Sequence, residues 1–388
     1  MSAGCSSYGS ASVSRRMNIL QIVSSSRTSG AEKHVIVLSE RLQQRGHQIT
    51  ALCPPGGWLP ERLRAAGIST IERPMHGKQF MPAVLSVARS SRRERYDLIH
   101  THLTCATYLG FMAGFVNRLP VVTSVHVLTH DLVYRRLFPR NRNRIVTVSD
   151  FVRDSLIKQG IPLQGIKTIY NGTEFCANNE MLASSHTDNL SEVPVRAELS
   201  VPPNAELVGL FARVDEFKGH PVLVQAVRRI VDARPNAYFV CVGAIEPTMQ
   251  KSLWESAAKD GVAERMRFTG VRDDVQRLLG AMDVVTLPSR YEMCSMAIIE
   301  AMAMGKPVVA TRAGGNPELI ADNETGVLIE RNPDALADAL IALLSNPSRR
   351  LAMGQAARQR AETHFSANVM VDNIEALYRE LILSPQMA

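Results

Sequence analysis

The sequence predicts an α/β protein with two Rossmann-like domains. Its 388 residues exceed the ~150 residues typical of a single domain, so two domains are expected. Short runs of β-branched and aliphatic residues alternate with helical patterns, which is typical of parallel sheets joined by crossover helices. A polar stretch near the middle of the chain interrupts this alternation and separates the two domains.

The alternation begins with a strand and its crossover helix. Residues 18–23 are the first strand candidate, and residues 31–45 carry a helical pattern that ends at Gly46. Enough chain for a helix or a long loop separates each strand from the next, which predicts a mostly parallel, doubly wound sheet. The other strand candidates of the first domain are residues 48–52, 97–100, 121–125, 145–148 and 167–170.

The alternation stops between Asn171 and about Val201, and we place the domain boundary there. Ser366 can cap a final helix at residues 366–383, whose apolar positions follow a helical period. Strand candidates of the second domain are residues 207–212, 237–242, 266–269, 283–287 and 307–310. The predicted units are a loose tail or upstream start at 1–16, domains at 17–200 and 201–365, and the final helix within 366–388.

The positive charge of the chain belongs to its first half. Residues 1–200 hold 24 Lys and Arg against 14 Asp and Glu, a net +10, whereas residues 201–388 hold 20 against 23, a net −3. Such basicity favours a partner with phosphates, either an anionic membrane surface or nucleic acid, although a solvated surface explains it equally well. The basic clusters are Arg89, Arg92, Arg93 and Arg95, then Arg135, Arg136, Arg140, Arg142 and Arg144.

Cysteine usage and hydropathy indicate a cytoplasmic protein. The six cysteines are scattered, without a C-x-x-C pair and without a histidine at zinc-ligand spacing, which fits reduced thiols and predicts no metal site. Residues 1–16 lack the apolar run of a signal peptide. The most apolar stretch, about residues 105–116, is too short to span a bilayer and is expected to form a buried helix.

Two familiar phosphate-binding loops are missing from the sequence. The turn after the first strand has one glycine, Gly30, so it fails the G-x-G-x-x-G fingerprint of dinucleotide-binding domains. A G-x-x-x-x-G-K-[ST] loop occurs nowhere. Both an NAD enzyme and a P-loop NTPase are therefore disfavoured.

Two cations follow the first strand of the second domain. Arg213 and Lys218 come where that strand opens on the expected crevice, and Gly219 allows a helix to start close by. Fixed cations and helix N–H groups in this place can neutralise a departing diphosphate. The alternative is that both are solvated loop charges.

Two glutamates follow the strand at 283–287. Ser295 can cap a helix that runs to Gly305, with Glu292 in the loop before it and Glu300 inside it. Carboxylates accept hydrogen bonds from sugar and ribose hydroxyls. Because the helix is mostly apolar, Glu300 needs a partner if it is buried. The methionines of this helix fit core packing better than a cofactor site.

These motifs together resemble the retaining GT-B glycosyltransferases of family 4. The resemblance covers about residues 17–383, and the combination of motifs is specific although each motif alone is not. It rests on Arg213 with Lys218-Gly219, Glu292 and Glu300 in E-x7-E spacing, Gly314 to Glu318, Ser29-Gly-Ala-Glu32, Ser124-Val-His126, Val148-Ser149 and Tyr170-Asn171-Gly172.

The resemblance implies a GT-B fold, with two Rossmann-like domains facing across a cleft and a C-terminal helix crossing back to the first domain. The first domain would bind the acceptor and the second the donor. Arg213 and Lys218 would hold the donor diphosphate, Glu300 the ribose, and Glu292 the transferred sugar. The Gly30 loop would close over the diphosphate, His126 would contact the donor sugar near the reaction centre, and the backbone of Cys294, Ser295 and Met296 would lie near sugar and phosphates.

The implied activity is metal-independent transfer of a hexose from a nucleotide-sugar to a saccharide or lipid-linked acceptor, with retained configuration, in cell-surface polysaccharide, lipopolysaccharide or glycolipid synthesis. The nucleotide-diphosphate sugar is the implied donor substrate, and neither a cofactor nor a metal is expected. Glu292-Met-Cys-Ser295 stands where many members have Glu-Gly-Phe-Gly, and Ser29 where many have glycine, which leaves the nucleotide and sugar open.

Three further expectations complete the functional hypothesis. The basic first domain would dock as a peripheral protein on the inner face of the membrane. A nucleotide-sugar epimerase or a phosphorylase of the same fold is the nearest alternative. A nucleic-acid-binding protein is a second alternative, disfavoured because no recognised motif and no aromatic residues accompany the arginines.

Overall fold

The computed structural model describes residues 15–129, 132–137, 142–175 and 194–383. The tail predicted at residues 1–16 lies outside these ranges except for Arg15 and Arg16. Most of the polar stretch on which we placed the domain boundary, residues 176–193, also lies outside them.

Seven parallel strands form the first sheet within the described residues. They are β1 (Asn18–Val23), β2 (Gln48–Cys53), β3 (Ser69–Glu72), β4 (Leu98–His102), β5 (Val121–Val125), β6 (Arg144–Thr147) and β7 (Ile166–Thr168). Their order across the sheet is β3-β2-β1-β4-β5-β6-β7. The order reverses beside β1, as in doubly wound nucleotide-binding folds.

A second sheet repeats this plan with six parallel strands in the described part of the chain. They are β8 (Glu206–Phe211), β9 (Ala237–Val242), β10 (Met266–Gly270), β11 (Val284–Leu287), β12 (Val308–Thr311) and β13 (Gly326–Ile329). The order β10-β9-β8-β11-β12-β13 reverses beside β8. The prediction of two Rossmann-like units is therefore confirmed.

Helices cover the faces of both sheets, as parallel strands with crossover connections require. In the described ranges they are α1 (Gly30–Gln44), α2 (Trp58–Ala65), α3 (Phe80–Glu94), α4 (Thr104–Asn117), α5 (Leu132–Leu137), α6 (Asp150–Lys158), α7 (Val195–Glu198), α8 (His220–Ala233), α9 (Pro247–Lys259), α10 (Val275–Ala281), α11 (Met296–Ala303), α12 (Asn316–Leu319), α13 (Pro333–Leu344), α14 (Pro347–His364) and α15 (Ala367–Leu383).

The sequence analysis missed two strands, β3 and β13. Both are only four residues long and lie at an edge of their sheet. The residues of β3 are exposed or half-buried, so no apolar run marks them. Every other strand lies within two residues of its predicted position.

Helix α4 corresponds to the apolar stretch that we expected to be buried. Gly110 lets it approach β4 closely, because a Cβ atom there would lie 2.3 Å from Cγ2 of Thr101. The expectation is wrong for the last turn, where Phe115 and Val116 are 54% and 52% exposed. Among the described residues, no helix combines the length and apolarity that a membrane span requires.

The C-terminal helix α15 packs on the first domain. Ile374 and Leu377 share a buried cluster with Val35 and Leu38 of α1. The hydroxyl of Tyr378 contacts Nδ1 of the buried His100 on β4. The predicted return of this helix to the first domain is therefore confirmed, and Ser366 caps it through the N–H of Val369.

Two segments at the ends of the domains lie side by side within the described residues, one at Thr173 and the other at Ser366. The N–H of Thr173 donates to the carbonyl of Phe365 at 3.0 Å, and the N–H of Ala367 donates to the carbonyl of Thr173 at 2.9 Å. At Gly172 a Cβ atom would lie 2.6 Å from the carbonyl oxygen of Ser366. Only glycine fits this close approach without a backbone shift.

The packing of α15 predicts the effect of two leucine substitutions. Leu377 is 1% exposed and Leu383, on the same helix, is 70% exposed. Leu377→Ala leaves a cavity against α1 and should lower the free energy of unfolding by about 2–5 kcal/mol. Leu383→Ala, the matched control, should change it by less than about 0.5 kcal/mol. Urea denaturation measures both, and equal losses would contradict the packing described for α15.

Candidate active site

Most of the predicted site residues follow strands at the topological switch points of the two sheets, while His126 follows β5. The loop after β1 leads to Gly30, the loop after β8 carries Arg213 and Lys218, and the loop after β11 carries Glu292. In open parallel sheets, ligands bind at the carboxyl ends of the strands where the strand order reverses.

Asp215 organises the loop that carries the two predicted cations. Its carboxylate accepts a hydrogen bond from Nε of Arg213 at 2.9 Å and another from the backbone N–H of Lys218 at 2.8 Å. The side chain of Arg213 is 70% exposed and that of Lys218 is 30% exposed. The sequence analysis gave Asp215 no role, although it lies between the two cations in the chain.

Gly219 brings helix α8 against the loop that follows β11. It caps the helix with φ at +85°, a conformation that favours glycine. A Cβ atom at this position would lie 2.1 Å from the carbonyl oxygen of Pro288. This close contact with Pro288 agrees with the prediction that Gly219 lets a helix start close by.

Lys218 and Glu292 form an ion pair in the site. The Lys218 Nζ donates to both carboxylate oxygens of Glu292, at 2.7 and 2.9 Å. Glu292 is only 7% exposed, so its charge depends on this partner. Its loop rests on Gly314 and Gly315, and the N–H of Gly315 donates to the Glu292 carbonyl at 2.8 Å.

Glu300 has a cationic partner, as we expected for a carboxylate inside a mostly apolar helix. Its Oε1 lies 2.9 Å from Nζ of Lys33, which is on α1 of the first domain. The Glu300 side chain is 14% exposed. The sequence analysis missed Lys33, because a contact across 267 residues leaves no local pattern.

The N-termini of α1 and α11 meet between the domains. Ser29 caps α1 through the N–H of Ala31, and Ser295 caps α11 through the N–H of Ile298. A Cβ atom at Gly30 would lie 3.4 Å from Cγ of Met296, so the two helix starts are in near contact. Both present the positive end of a helix dipole, which favours an anion between them.

Backbone contacts around Cys294 and Glu318 also join the domains. The side-chain amide of Asn171 donates to the Cys294 carbonyl at 3.3 Å. Burial raises the pKa of the Cys294 thiol to about 12, so it stays protonated and is no nucleophile near pH 7. The Glu318 carboxylate accepts from the N–H groups of Asp150 and Phe151, at 2.6 and 2.7 Å, and so binds the N-terminus of α6.

His126 lies beside two histidines that the sequence analysis missed. Its Nε2 is 3.1 Å from Nδ1 of His102, and its ring centroid is 4.9 Å from that of His34. Burial lowers the pKa of His34 to about 4 and holds the pKa of His102 and His126 well below 6.5. All three are therefore neutral imidazoles near pH 7. The position of His102 at the end of a strand was the available signal.

Similarity to known proteins identifies the family of this chain. A model described as Glycosyltransferase Family 4 matches residues 28–175, and a model described as Glycosyl transferases group 1 matches residues 205–346. A D-inositol 3-phosphate glycosyltransferase from Corynebacterium urealyticum is 34% identical over 349 residues, covering 82% of this chain and 80% of the relative. The chain thus belongs to the family 4 glycosyltransferases.

Solved structures share the fold. A glycosyltransferase from Rickettsia africae superposes with a TM-score of 0.84 at 23% identity, covering 95% of this chain and 100% of that one. Anabaena Alr3699/HepE, crystallised with UDP and glucose, gives a TM-score of 0.80 at 24% identity, covering 93% and 99%. The predicted GT-B fold is confirmed by this similarity.

The low pKa of His34 predicts a dependence of stability on pH. As the pH falls from 6.5 toward 4, the unfolded chain takes up a proton at His34 before the folded protein does. Stability is therefore full above about pH 6.5 and decreases below it.

We expect His34→Gln to reduce the slope of unfolding free energy against pH, measured by urea denaturation between about pH 7 and pH 5. The slope should not vanish, because His100, His102 and His126 keep their own lowered pKa values. His364→Gln, at an exposed position on α14, should keep the native slope. An unchanged slope in His34→Gln would show that His34 is not buried in the neutral form.

Proposed function

We propose that the protein transfers a hexose from a nucleoside-diphosphate sugar to an acceptor hydroxyl, with retention of anomeric configuration and without a metal ion. The observation that carries this proposal is the ion pair of Lys218 with Glu292, in a loop that also holds Arg213. The near contact of the helix N-termini at Gly30 and Met296 supports it. Cations and helix N-termini stabilise the charge that develops on a departing diphosphate. Family membership and the UDP bound to Alr3699/HepE support a nucleotide-sugar donor.

The ion pair between Lys218 and Glu292 suggests how the site receives its donor. A diphosphate carries more negative charge than a carboxylate, so it would draw Lys218 away from Glu292. Glu292 would then be available to accept hydrogen bonds from hydroxyls of the transferred sugar. The pair thus compensates two buried charges before the donor arrives and separates them when it binds.

Other residues position the two ends of the donor. Glu300 would accept hydrogen bonds from the ribose hydroxyls, while Lys33 keeps its charge compensated. The backbone at Cys294, Ser295 and Met296 lies at the start of α11, where free N–H groups would face the diphosphate. His126, neutral near pH 7, would contact the donor sugar near the reaction centre.

In the reaction, the bond between the anomeric carbon and the diphosphate oxygen breaks and the acceptor oxygen attacks from the same face. Lys218 and Arg213 stabilise the electron pair that stays with the diphosphate. The acceptor proton passes to that departing oxygen, so atoms and charge balance. Positive side chains and helix N-termini supply the stabilisation that a metal would otherwise give.

We further propose that the first domain docks on an anionic membrane at the cytoplasmic face, to reach a lipid-linked acceptor of cell-surface glycan synthesis. Helix α3 supports this, since Met81 and Leu85 are 51% and 52% exposed and lie on one face with the exposed Arg89. Arg92 and Arg93 are also exposed.

The second arginine cluster suits docking less well. Arg135 donates to the carbonyl of Gln159, Arg142 to the carbonyl of Arg118, and Arg144 pairs with Glu380. The side chains of Arg136 and Arg140 lie outside the described residues. Helix α3 is therefore the face that we propose to meet lipid.

A transfer assay with Lys218→Met and Glu300→Gln tests the proposed chemistry. Lys218→Met removes a cation that acts on the leaving group and should lower kcat/KM about 10²–10³-fold. Because it leaves the nearly buried Glu292 unpaired, its melting temperature should also fall. Glu300→Gln should raise KM for the donor at a nearly unchanged melting temperature, since Lys33 is 34% exposed.

The matched control for this assay is Lys251→Met, at a side chain 78% exposed on α9 of the same domain, which should retain native kinetics. UDP- and GDP-sugars serve as donors, and D-inositol 3-phosphate, the compound named in the relative, serves as one acceptor. Native kinetics in Lys218→Met would show that Lys218 does not stabilise the leaving group. Epimerised or phosphorolysed donor without transfer would favour the alternative enzymes of this fold.

Liposome co-sedimentation tests the membrane proposal. Replacing Arg89, Arg92 and Arg93 together by serine should abolish binding to vesicles with anionic lipid at low salt. Each surface arginine contributes ~1 kcal/mol to the free energy of binding to such a membrane. Replacing Arg228, Lys251 and Lys259 together removes the same charge from exposed positions of the second domain and should leave binding unchanged. Native protein that fails to sediment with anionic vesicles at low salt contradicts docking.

A filter-binding measurement with single- and double-stranded nucleic acid tests the nucleic-acid alternative beside the liposome experiment. Retention that persists at physiological salt would support the nucleic-acid alternative instead.

A further inference from the structure

Three histidines form a buried group beside the candidate active site, which we call the histidine cluster. It consists of His34 on α1, His102 at the end of β4 and His126 after β5. One ring nitrogen from each lies within 4.8 Å of the other two. His34 and His102 are 1% and 0% exposed, and His126 is 9% exposed. Burial lowers the pKa of all three, so each ring keeps a lone pair near pH 7.

The hydrogen bonds of Asn171 fix the tautomer of His34. The Asn171 amide nitrogen donates to the Cys294 carbonyl at 3.3 Å, so its amide oxygen faces Nδ1 of His34 at 3.0 Å. An amide oxygen only accepts, and Nδ1 of His34 must therefore carry the proton. The lone pair then lies on Nε2, a buried atom that has no hydrogen-bond partner among the described residues.

The other two rings bring one nitrogen each close together. Nδ1 of His102 and Nε2 of His126 are 3.1 Å apart. If both atoms hold lone pairs toward one ion, the proton of His102 is on its buried Nε2, which has no partner in the described ranges. Two nitrogens bound to one tetrahedral zinc ion at 2.0–2.1 Å lie about 3.3 Å from each other. The observed separation of 3.1 Å therefore suits shared ligation of an ion as well as a hydrogen bond.

We propose that His34, His102 and His126 bind one divalent transition-metal ion of the zinc type, with water as the fourth ligand. Three neutral imidazoles select such ions over Mg²⁺ or Ca²⁺, which take oxygen ligands. The contact of His34 with Asn171 orients the ring as outer partners of metal-binding histidines do. His100, adjacent to His102, is not a ligand, because Tyr378 and Ser124 occupy both of its nitrogens.

The ion would compete with the donor. Coordination engages His126, which the proposed function places against the donor sugar, so this consequence rests on that function. The bound ion is thus an inhibitor of transfer and no cofactor for it. Micromolar zinc should raise KM for the nucleotide-sugar in the native protein.

Zinc binding to the metal-stripped full chain tests the site directly. Isothermal titration should give one ion per chain, and X-ray absorption should give a shell of nitrogen neighbours at about 2.0 Å without sulfur. His34→Gln and His126→Gln should each weaken binding more than 100-fold, and Asn171→Ala about 10–100-fold. His364→Gln, an exposed histidine on α14, is the matched control and should bind as the native chain does.

Several outcomes overturn the proposal. If the protein retains no zinc after gel filtration, the histidine cluster is not a metal site and holds water at most. A sulfur shell assigns the ion to cysteines, and native affinity in both His34→Gln and His126→Gln assigns it elsewhere. Circular dichroism of each variant shows that lost binding is not lost folding.

Failure of this site and failure of the proposed function are distinguishable. If the protein retains zinc but transfers no sugar, the metal site is supported and the proposed function is refuted. If it transfers sugar but retains no zinc, the proposed function is supported and the metal site is refuted. His34→Gln separates the two effects, because His34 is not placed against the donor. Its KM for the donor should be insensitive to zinc, and inhibition equal to that of the native chain would refute the competition.

Discussion

The parallel arrangement of both sheets decides where charge can be held in this protein. Parallel strands carry all their carboxyl ends to one edge, and the helices that follow begin there with their positive dipole ends. The N-termini of α1 and α11, from different domains, come into near contact at Gly30 and Met296. Negative charge at this place is therefore stabilised, whether from a glutamate of the chain or from the diphosphate of a donor.

Ion pairs at this edge balance the buried carboxylates. Glu292 contacts Lys218 within the second domain, while Glu300 contacts Lys33 of the first. The second pair also joins the domains, as does Glu318 at the N-terminus of α6. Because an unpaired buried carboxylate is costly, the donor binding that we propose would have to exchange these partners without leaving a charge alone. Under that proposal the same contacts serve the interface and the chemistry.

The histidine cluster gives the first domain a different chemistry from the second. Its imidazoles are neutral, since burial makes protonation unfavourable. Neutral rings neither repel cations nor attract a diphosphate. In our two proposals, His126 would accept hydrogen bonds from hydroxyls of a sugar or donate them to those hydroxyls, and all three residues would bind a metal ion.

The sequence by itself determined the elements that depend on local pattern. Apolar period and glycine placement located eleven strands and the helices α1, α4, α11 and α15. Motif spacing singled out Lys218, Glu292 and Glu300. The edge strands β3 and β13 escaped because each is only four residues long, and because no residue of β3 is buried.

Only the tertiary structure decided which residues meet. Lys33 with Glu300, His34 with Asn171, and Glu318 with α6 join positions more than 130 residues apart, and no local signal records such a pairing. Period and spacing are properties of neighbouring residues, whereas charge compensation in the cleft is set by how two separately folded sheets are packed together.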